Sequence, residues 1–316
     1  MLSCRKRFFN MANIDFKKRF SIGLALDSEA DEYERLFAQY SDYIDNLYFS
    51  PPLGDRFHGR NKIAEQFRNS EMCDRFWRIL KVTQAYKIGL EAVFNTHLLE
   101  PGDLAYARTE FDRHQIHLDK VCVQDSYYDE AKRIFPASEL VHSVNCMPDE
   151  IEKIIEAAGK YEEYVVGRQY TRNSALFKKI REQGSKCVLL LNNGCSHWCG
   201  GCSDSQHCSD SYKKSRETYM PQEIYAIQSI LPYEIHEKLI DTSDVKLFKL
   251  STRNADVSYI TKCLDSYINN SAFEYIKRST DYYLLWSRLL WIVKDFPTFD
   301  YNAIRDFKKN LVKKYE

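Results

Sequence analysis

Short apolar runs rich in Val, Ile, Leu, Phe and Tyr recur along the chain, and each is followed by a longer stretch with helical spacing of its apolar positions. The runs that predict strands are 22–26, 44–49, 87–94, 120–124, 139–144, 163–167, 187–192 and 246–250. Helical patterns cover 29–40, 62–84, 104–117, 126–135, 149–158, 174–183, 221–239 and 255–268. Punctuation supports these boundaries: Asn173-Ser174 and Met147-Pro148-Asp149 read as helix starts, Gly159 and Gly184 as helix stops. Eight strand-then-helix units predict an α/β fold, a parallel (β/α)8 TIM-like barrel, with an open doubly wound sheet as the alternative because periodicity does not say whether a sheet closes.

Past the eighth unit, "FEYIKRSTDYYLLWSRLLWIVKDFP" and "YNAIRDFKKNLVKKYE" read as two more helices, the first with a wide apolar face that includes Trp286, Leu289, Leu290 and Ile292. The expected organisation is a barrel domain over residues 1–270 and a helical C-terminal extension over 271–316. That extension either packs on the barrel or offers the surface for a homo- or hetero-dimer.

Composition narrows the function classes. Lys+Arg and Asp+Glu are 45 each in 316 residues, so no net field favours nucleic acid or an anionic membrane. No apolar run reaches the roughly 20 residues needed to span a bilayer, and the opening segment lacks the apolar core of a secretory signal, so a cytoplasmic protein with no membrane partner is expected. Six of the ten cysteines (Cys4, Cys73, Cys122, Cys146, Cys187 and Cys263) are scattered singly and read as reduced small hydrophobes.

In a β/α barrel the loops after the strands converge over one mouth, so residues at strand carboxyl ends are the candidates for chemistry. Asp27, Ser50 with Arg56, His58 and Arg60 beyond it, Asn95, His97, Asp125, Asn145, Arg168, Gln169, Asn192, Asn193 and Arg253 occupy those positions. Asp27, Asn95 and His97 are candidate proton-transfer or hydrogen-bonding groups. Arg168 and Arg253 directly follow apolar strands without being capping residues, so with Gln169 they are candidates to orient an anionic group of a small-molecule or nucleotide-bearing substrate. No Ser/His/Asp pattern and no HExxH motif points to hydrolysis.

The remaining four cysteines follow the seventh strand in "LNNGCSHWCGGCSDSQHC": Cys195, Cys199, Cys202 and Cys208, spaced Cys-x3-Cys-x2-Cys-x5-Cys. Three readings are open. Disulfides are disfavoured in a reducing compartment. A zinc site would take four cysteines, or three with His197 or His207. Three or four thiolates in close succession also suit an iron–sulfur cluster, most simply 4Fe-4S. The spacing of Cys195, Cys199 and Cys202 is similar to that of radical S-adenosylmethionine enzymes, although here it follows the seventh strand and Gly201 precedes the third cysteine.

Four segments resemble the collagenase-like peptidase family, peptidase family U-32. They are "YSDYIDNLYFSPP", "ELVHSVNCMPDEIEKI", "EYVVGRQYTRNSALFKKI" and "VKLFKLSTRNADVSYITKCLDSYI". Arg168 with Gln169, and Phe248, Lys249, Arg253 and Tyr267, carry the likeness in the last two. The family's Gly-Ala-x-Cys and Ser-Gly-x-Cys segment is absent, but Cys195 and Cys199 after "NNG" resemble its Asn-x-x-Cys-x3-Cys element. Members of that family include oxygen-independent hydroxylases of RNA and of ubiquinone precursors. The resemblance therefore implies a barrel with an iron–sulfur site and redox or radical modification of a substrate, against the alternative of a zinc-stabilised, non-catalytic binding barrel.

Overall fold

The computed structural model describes residues 14–57, 65–146, 150–167, 170–192, 230, 232–236, 238, 240–252 and 256–270. Its eight strands are β1 (Phe20–Gly23), β2 (Ile44–Phe49), β3 (Gly89–Phe94), β4 (Lys120–Val123), β5 (Glu139–His142), β6 (Glu163–Val165), β7 (Lys186–Leu190) and β8 (Val245–Leu250). Each pairs in parallel with the next in sequence. The ring shuts where β1 pairs with β8, Phe20 opposite Phe248 and Ile22 opposite Leu250. The sheet is thus a closed (β/α)8 barrel, as the periodicity predicts, and the open alternative is excluded.

Helices α1 (Ala30–Tyr40), α2 (Ser70–Ala85), α3 (Asp103–Arg113), α4 (Tyr128–Ile134), α5 (Ile151–Ala158), α6 (Ser174–Glu182), α7 (Pro232–His236) and α8 (Val257–Ile268) alternate with the strands. Local chemistry fixes their starts. Asn69, Asn173 and Asp256 each accept a backbone N–H of the first turn, from Glu71, Leu176 and Tyr259. Glu29 and Glu32 close a capping box on α1. In α1 the buried Tyr33, Leu36, Phe37 and Tyr40 recur at helical spacing, which turns one stripe toward the sheet.

Strand alternation sorts the apolar residues into two bodies. Phe49, Phe94, Leu140, Leu189 and Phe248 join the helices in the main core. Tyr48, Val93, Cys122, Val141, Val165, Val188 and Leu247, one from each of seven strands, form a separate cluster inside the ring. Two positions away on the same faces lies a charged layer. Lys249 Nζ donates to Glu91 at 2.5 Å, Asn46 donates to the other Glu91 oxygen at 2.8 Å, and Lys120 reaches Asp45 at 2.7 Å and Glu163 at 2.8 Å. These pairs neutralise one another, which is what makes charge inside a barrel tolerable.

Several boundaries differ from the sequence reading, among them those of β1, α2, which starts at Ser70 behind its Asn69 cap, and α3. β1 starts and stops earlier than 22–26, because the Thr252 hydroxyl accepts the Gly23 N–H at 2.7 Å and donates to the Gly23 carbonyl at 2.9 Å, while Ala25 N–H goes to the Tyr33 hydroxyl. Leu24 N–H still reaches the Tyr48 carbonyl of β2 at 2.9 Å, and Ala25 and Leu26 are buried beyond the strand. Helix α3 stops at Arg113 rather than continuing to 117, since Gln115 turns left-handed with φ 58°. Among the described residues no helix is long and apolar enough to cross a membrane. The expected C-terminal extension, 271–316, lies outside the described residues.

Candidate functional site

The carboxyl ends of the strands are fastened to one another by side chains that bond backbone. Asn192, just past β7, accepts the Ser251 N–H at 2.6 Å through Oδ1. Thr252 ties β8 to β1 as above, and the Tyr48 hydroxyl donates to the Leu250 carbonyl at 2.7 Å. Gln124 donates to the Asn95 carbonyl at 3.0 Å, holding the end of β4 to the end of β3. Behind β6, Arg172 makes a bidentate pair with Glu234 of α7 at 2.6 and 3.0 Å, both side chains fully buried. This rim is preorganised.

The candidates named from sequence distribute unevenly over it. Asp27 is exposed and does not cap α1, a role taken by Glu29; the neighbouring Ser28 hydroxyl accepts the first amide of α8 at 2.9 Å. Asn95 is half-buried and His97 exposed. Among the described residues no hydrogen bond or ion pair joins Asp27, Asn95 and His97 to one another, and β2 stands between the strands that carry them. Arg56 is engaged by Glu100 and by Asp103 at 2.9 Å. His58, Arg60, Arg168, Gln169, Asn193, Arg253, Cys195, Cys199, Cys202 and Cys208 lie outside the described residues.

The densest gathering of chemical groups is at the ends of β4, β5 and β6. His142, the last residue of β5, is 1% exposed and stacks flat on Tyr164, centroids 4.5 Å apart, with Tyr161 edge-on at 5.0 Å. Neither ring nitrogen has a hydrogen-bond partner. A buried polar group left so costs about 1–3 kcal/mol. Asp125 Oδ2 lies 3.7 Å from Nε2, beyond full hydrogen-bond length. The other carboxylate oxygen takes the Tyr161 hydroxyl at 2.9 Å.

After β5 the chain turns at once. Cys146 N–H returns to the Ser143 carbonyl at 3.0 Å, and the Ser143 hydroxyl accepts from Asn145 N–H at 3.2 Å. This turn brings the Cys146 thiol back over His142. One donor atom from each of Asp125, His142 and Cys146 lies within 4.8 Å of the other two. The proximity of His142, reinforced by Tyr161, holds the Asp125 carboxyl below the usual carboxylate range. Burial pushes the Cys146 thiol up to about 12, so on its own it is a poor nucleophile at neutral pH.

The sequence reading placed Asp125 among the strand-end candidates but took Cys146 for a structural thiol and passed over His142 inside the run "ELVH". The signal that was there is spacing: a His closing one strand, a Cys four residues on, and an Asp just after the preceding strand.

No family model and no curated protein matches the chain. Among solved structures, a U32 peptidase is similar with TM-score 0.47 and 13% identity, over 78% of this chain and 96% of that one. A UMP synthase from Leishmania donovani is similar with TM-score 0.43 and 12% identity, over 80% of this chain and 53% of that one. A chain of the tryptophan synthase a2b2 complex from Pyrococcus furiosus gives TM-score 0.37 and 9% identity, over 85% and 98%. The barrel assignment itself rests on the strand register, which closes the ring through β1 and β8.

Proposed function

We propose that this chain is a barrel enzyme that carries an iron–sulfur cluster, most simply 4Fe-4S, on Cys195, Cys199, Cys202 and Cys208, and that it performs a redox or radical modification of a small or nucleotide-bearing substrate. One observation carries the reading. The chain leaves the barrel past β7 at Asn192, three positions before Cys195, and Ile230 N–H donates to the Leu191 carbonyl at 2.7 Å. The described residues that flank the segment with the four thiols, Asn192 and Ile230, both lie at the carboxyl end of β7, the end at which β/α barrels do their chemistry.

Thiolates in this number and spacing suit iron–sulfur ligation, and the four U-32-like segments agree with it. In this reading Arg168, Gln169 and Arg253 orient an anionic group of the substrate, and Asp27, Asn95 and His97 supply hydrogen bonds or protons around the mouth.

Metal analysis of anaerobically purified, full-length protein tests the reading. Iron and acid-labile sulfide in matching amounts, broad visible absorption, and loss of both in Cys195→Ala and Cys208→Ala are expected. Colourless protein whose zinc depends on these cysteines would replace the proposal with the zinc-stabilised barrel. If neither substitution changes the metal content, the cysteine run is not a metal site at all.

A further inference from the structure

We propose that Asp125, His142 and Cys146 form a second metal site, for a single divalent transition metal of which zinc is the best fit, built into the rim between β4, β5 and β6. It is independent of the cysteine run after β7 and of the iron–sulfur reading.

Three features converge on it. The donor set is one imidazole, one thiolate and one carboxylate, a mixture of soft and hard donors that suits zinc and its neighbours and not magnesium or calcium. The donor atoms are close to coordination spacing already. Zinc bonds of about 2.0–2.3 Å at tetrahedral angles put donors roughly 3.3–3.7 Å apart, and here the His142 Nε2 to Asp125 Oδ2 separation is 3.7 Å with all three donors inside 4.8 Å. The remaining gaps close with side-chain movements of about 1 Å or less, which a terminal rotation supplies.

The independent observation is His142 itself. Its ring is buried, clamped by Tyr164 and Tyr161, and aimed among these groups with both nitrogens unpartnered. An imidazole kept in the core only for packing normally finds at least one hydrogen bond. The surroundings are those of a ligand shell. Tyr161 donates to the Asp125 oxygen that faces away from His142, which orients the other oxygen toward the ring, as outer-shell partners of metal ligands do.

With three protein donors, a tetrahedral ion keeps a fourth position for water or substrate. Asp125 is the exposed member of the three, so that position opens to solvent. Binding displaces the thiol proton of Cys146, which leaves for solvent as the sulfur becomes the ligating thiolate.

The test is metal content and cobalt spectroscopy on the full-length chain. In protein loaded with zinc and dialysed, Asp125→Asn and Cys146→Ala each lose one zinc equivalent per chain, while iron content is unchanged. Tyr161→Phe keeps the ligands and weakens zinc affinity about 10–100-fold. In the fourfold variant C195S/C199S/C202S/C208S, added cobalt(II) gives the visible bands of a tetrahedral site with a thiolate charge-transfer band that disappears with Cys146→Ser. Asp125 is exposed, so its Asn variant folds even if the fourfold variant does not, and either protein decides the matter. Zinc content that is the same with and without Asp125 and Cys146 overturns the site. Loss of iron with Cys195→Ala speaks only to the other proposal, so the two fail separately.

Discussion

Replacing Lys249 by Met strips the charged layer inside the barrel of its partner for Glu91. In the native chain the ammonium sits 2.5 Å from Glu91 Oε1 and 4.2 Å from the centre of the Tyr48 ring, and the Glu91 side chain is only 2% exposed. In Lys249→Met that carboxylate keeps the single bond from Asn46 at 2.8 Å and is otherwise an uncompensated charge in the barrel interior. Removing one member of such a pair costs about 3–5 kcal/mol. At roughly 2–4 °C per kcal/mol for a domain of this size, Tm should fall by about 6–20 °C.

The double variant Glu91→Gln/Lys249→Met removes both charges and keeps the Asn46 bond, so it should recover at least about half of the loss, since replacing a whole buried pair is close to neutral. Urea denaturation of the wild type, both single variants and the double variant measures the coupling. A loss below about 1 kcal/mol for Lys249→Met, or a double variant no more stable than it, refutes the account of the interior layer.

The pH dependence of the wild type follows from the same pair. Burial acts to lower the Lys249 pKa, but the Glu91 carboxylate outweighs it and holds the folded value above the ordinary one. A raised folded pKa means that the contribution is complete below the unfolded value of about 10.4 and is lost as pH rises through the folded value, which places this loss at the alkaline end.

Asn192→Ala should cost about 1–3 kcal/mol in urea denaturation, because it orphans the Ser251 N–H that Asn192 Oδ1 now accepts at 2.6 Å. Gly184→Ala should lose about 1–2 kcal/mol, since Gly184 holds φ +92° after α6 and the added methyl meets nothing within 4 Å, so backbone strain is the whole effect. The Asp125 carboxyl is held below its ordinary pKa, so its contribution is complete above the unfolded value of about 3.9 and is lost as pH falls through the folded one. Thermal denaturation against pH should therefore show a shallower acid limb in Asp125→Asn. Burial raises the thiols of Cys122, Cys187 and Cys263, and all three should resist alkylation in the native protein at neutral pH, becoming reactive only in denaturant, as read by mass spectrometry.

The barrel was legible in the chain because each strand is short, apolar and followed by a helix with its own period, and all eight strands appear where runs of Val, Leu, Phe and Tyr predict them. What periodicity lacks is the identity of hydrogen-bond partners far along the chain. The bounds of β1 were read too far along the chain because Thr252, 229 residues away from Gly23, takes its backbone groups and ends the pairing with β8. The Asp125, His142 and Cys146 group was missed for the same reason. His142 reads as the end of an apolar run, and only the parallel register that sets Val123 opposite His142 brings the residue two positions past Val123 beside it. The candidates Asp27, Asn95 and His97 were found by position alone, which says which end of the barrel a residue occupies and not which of its neighbours it meets.

The polar residues of the rim divide by what they bond, and the division says where chemistry belongs. Asn192, Thr252 and Gln124 reach backbone groups on a neighbouring strand end or its loop, the Tyr48 hydroxyl reaches from β2 to the Leu250 carbonyl of β8, and Arg172 and Glu234 neutralise each other in the interior. Each is a side chain whose removal leaves a backbone amide, a carbonyl or a charge without its partner, so their effects belong to stability. Neither ring nitrogen of His142 makes a hydrogen bond, yet the fold buries the ring and packs two tyrosines around it. A fold tolerates an unsatisfied buried group where something other than packing holds it there. Strand ends built from fastened residues supply the rigidity that a metal or a substrate group needs, and the unfastened imidazole beside a carboxylate and a thiol supplies the donor. Substituting the fastened residues should lower Tm without changing metal stoichiometry, and substituting Asp125 or Cys146 should change stoichiometry with a far smaller effect on the metal-free Tm. A rim in which both groups of variants move the same observable would have no such division of labour.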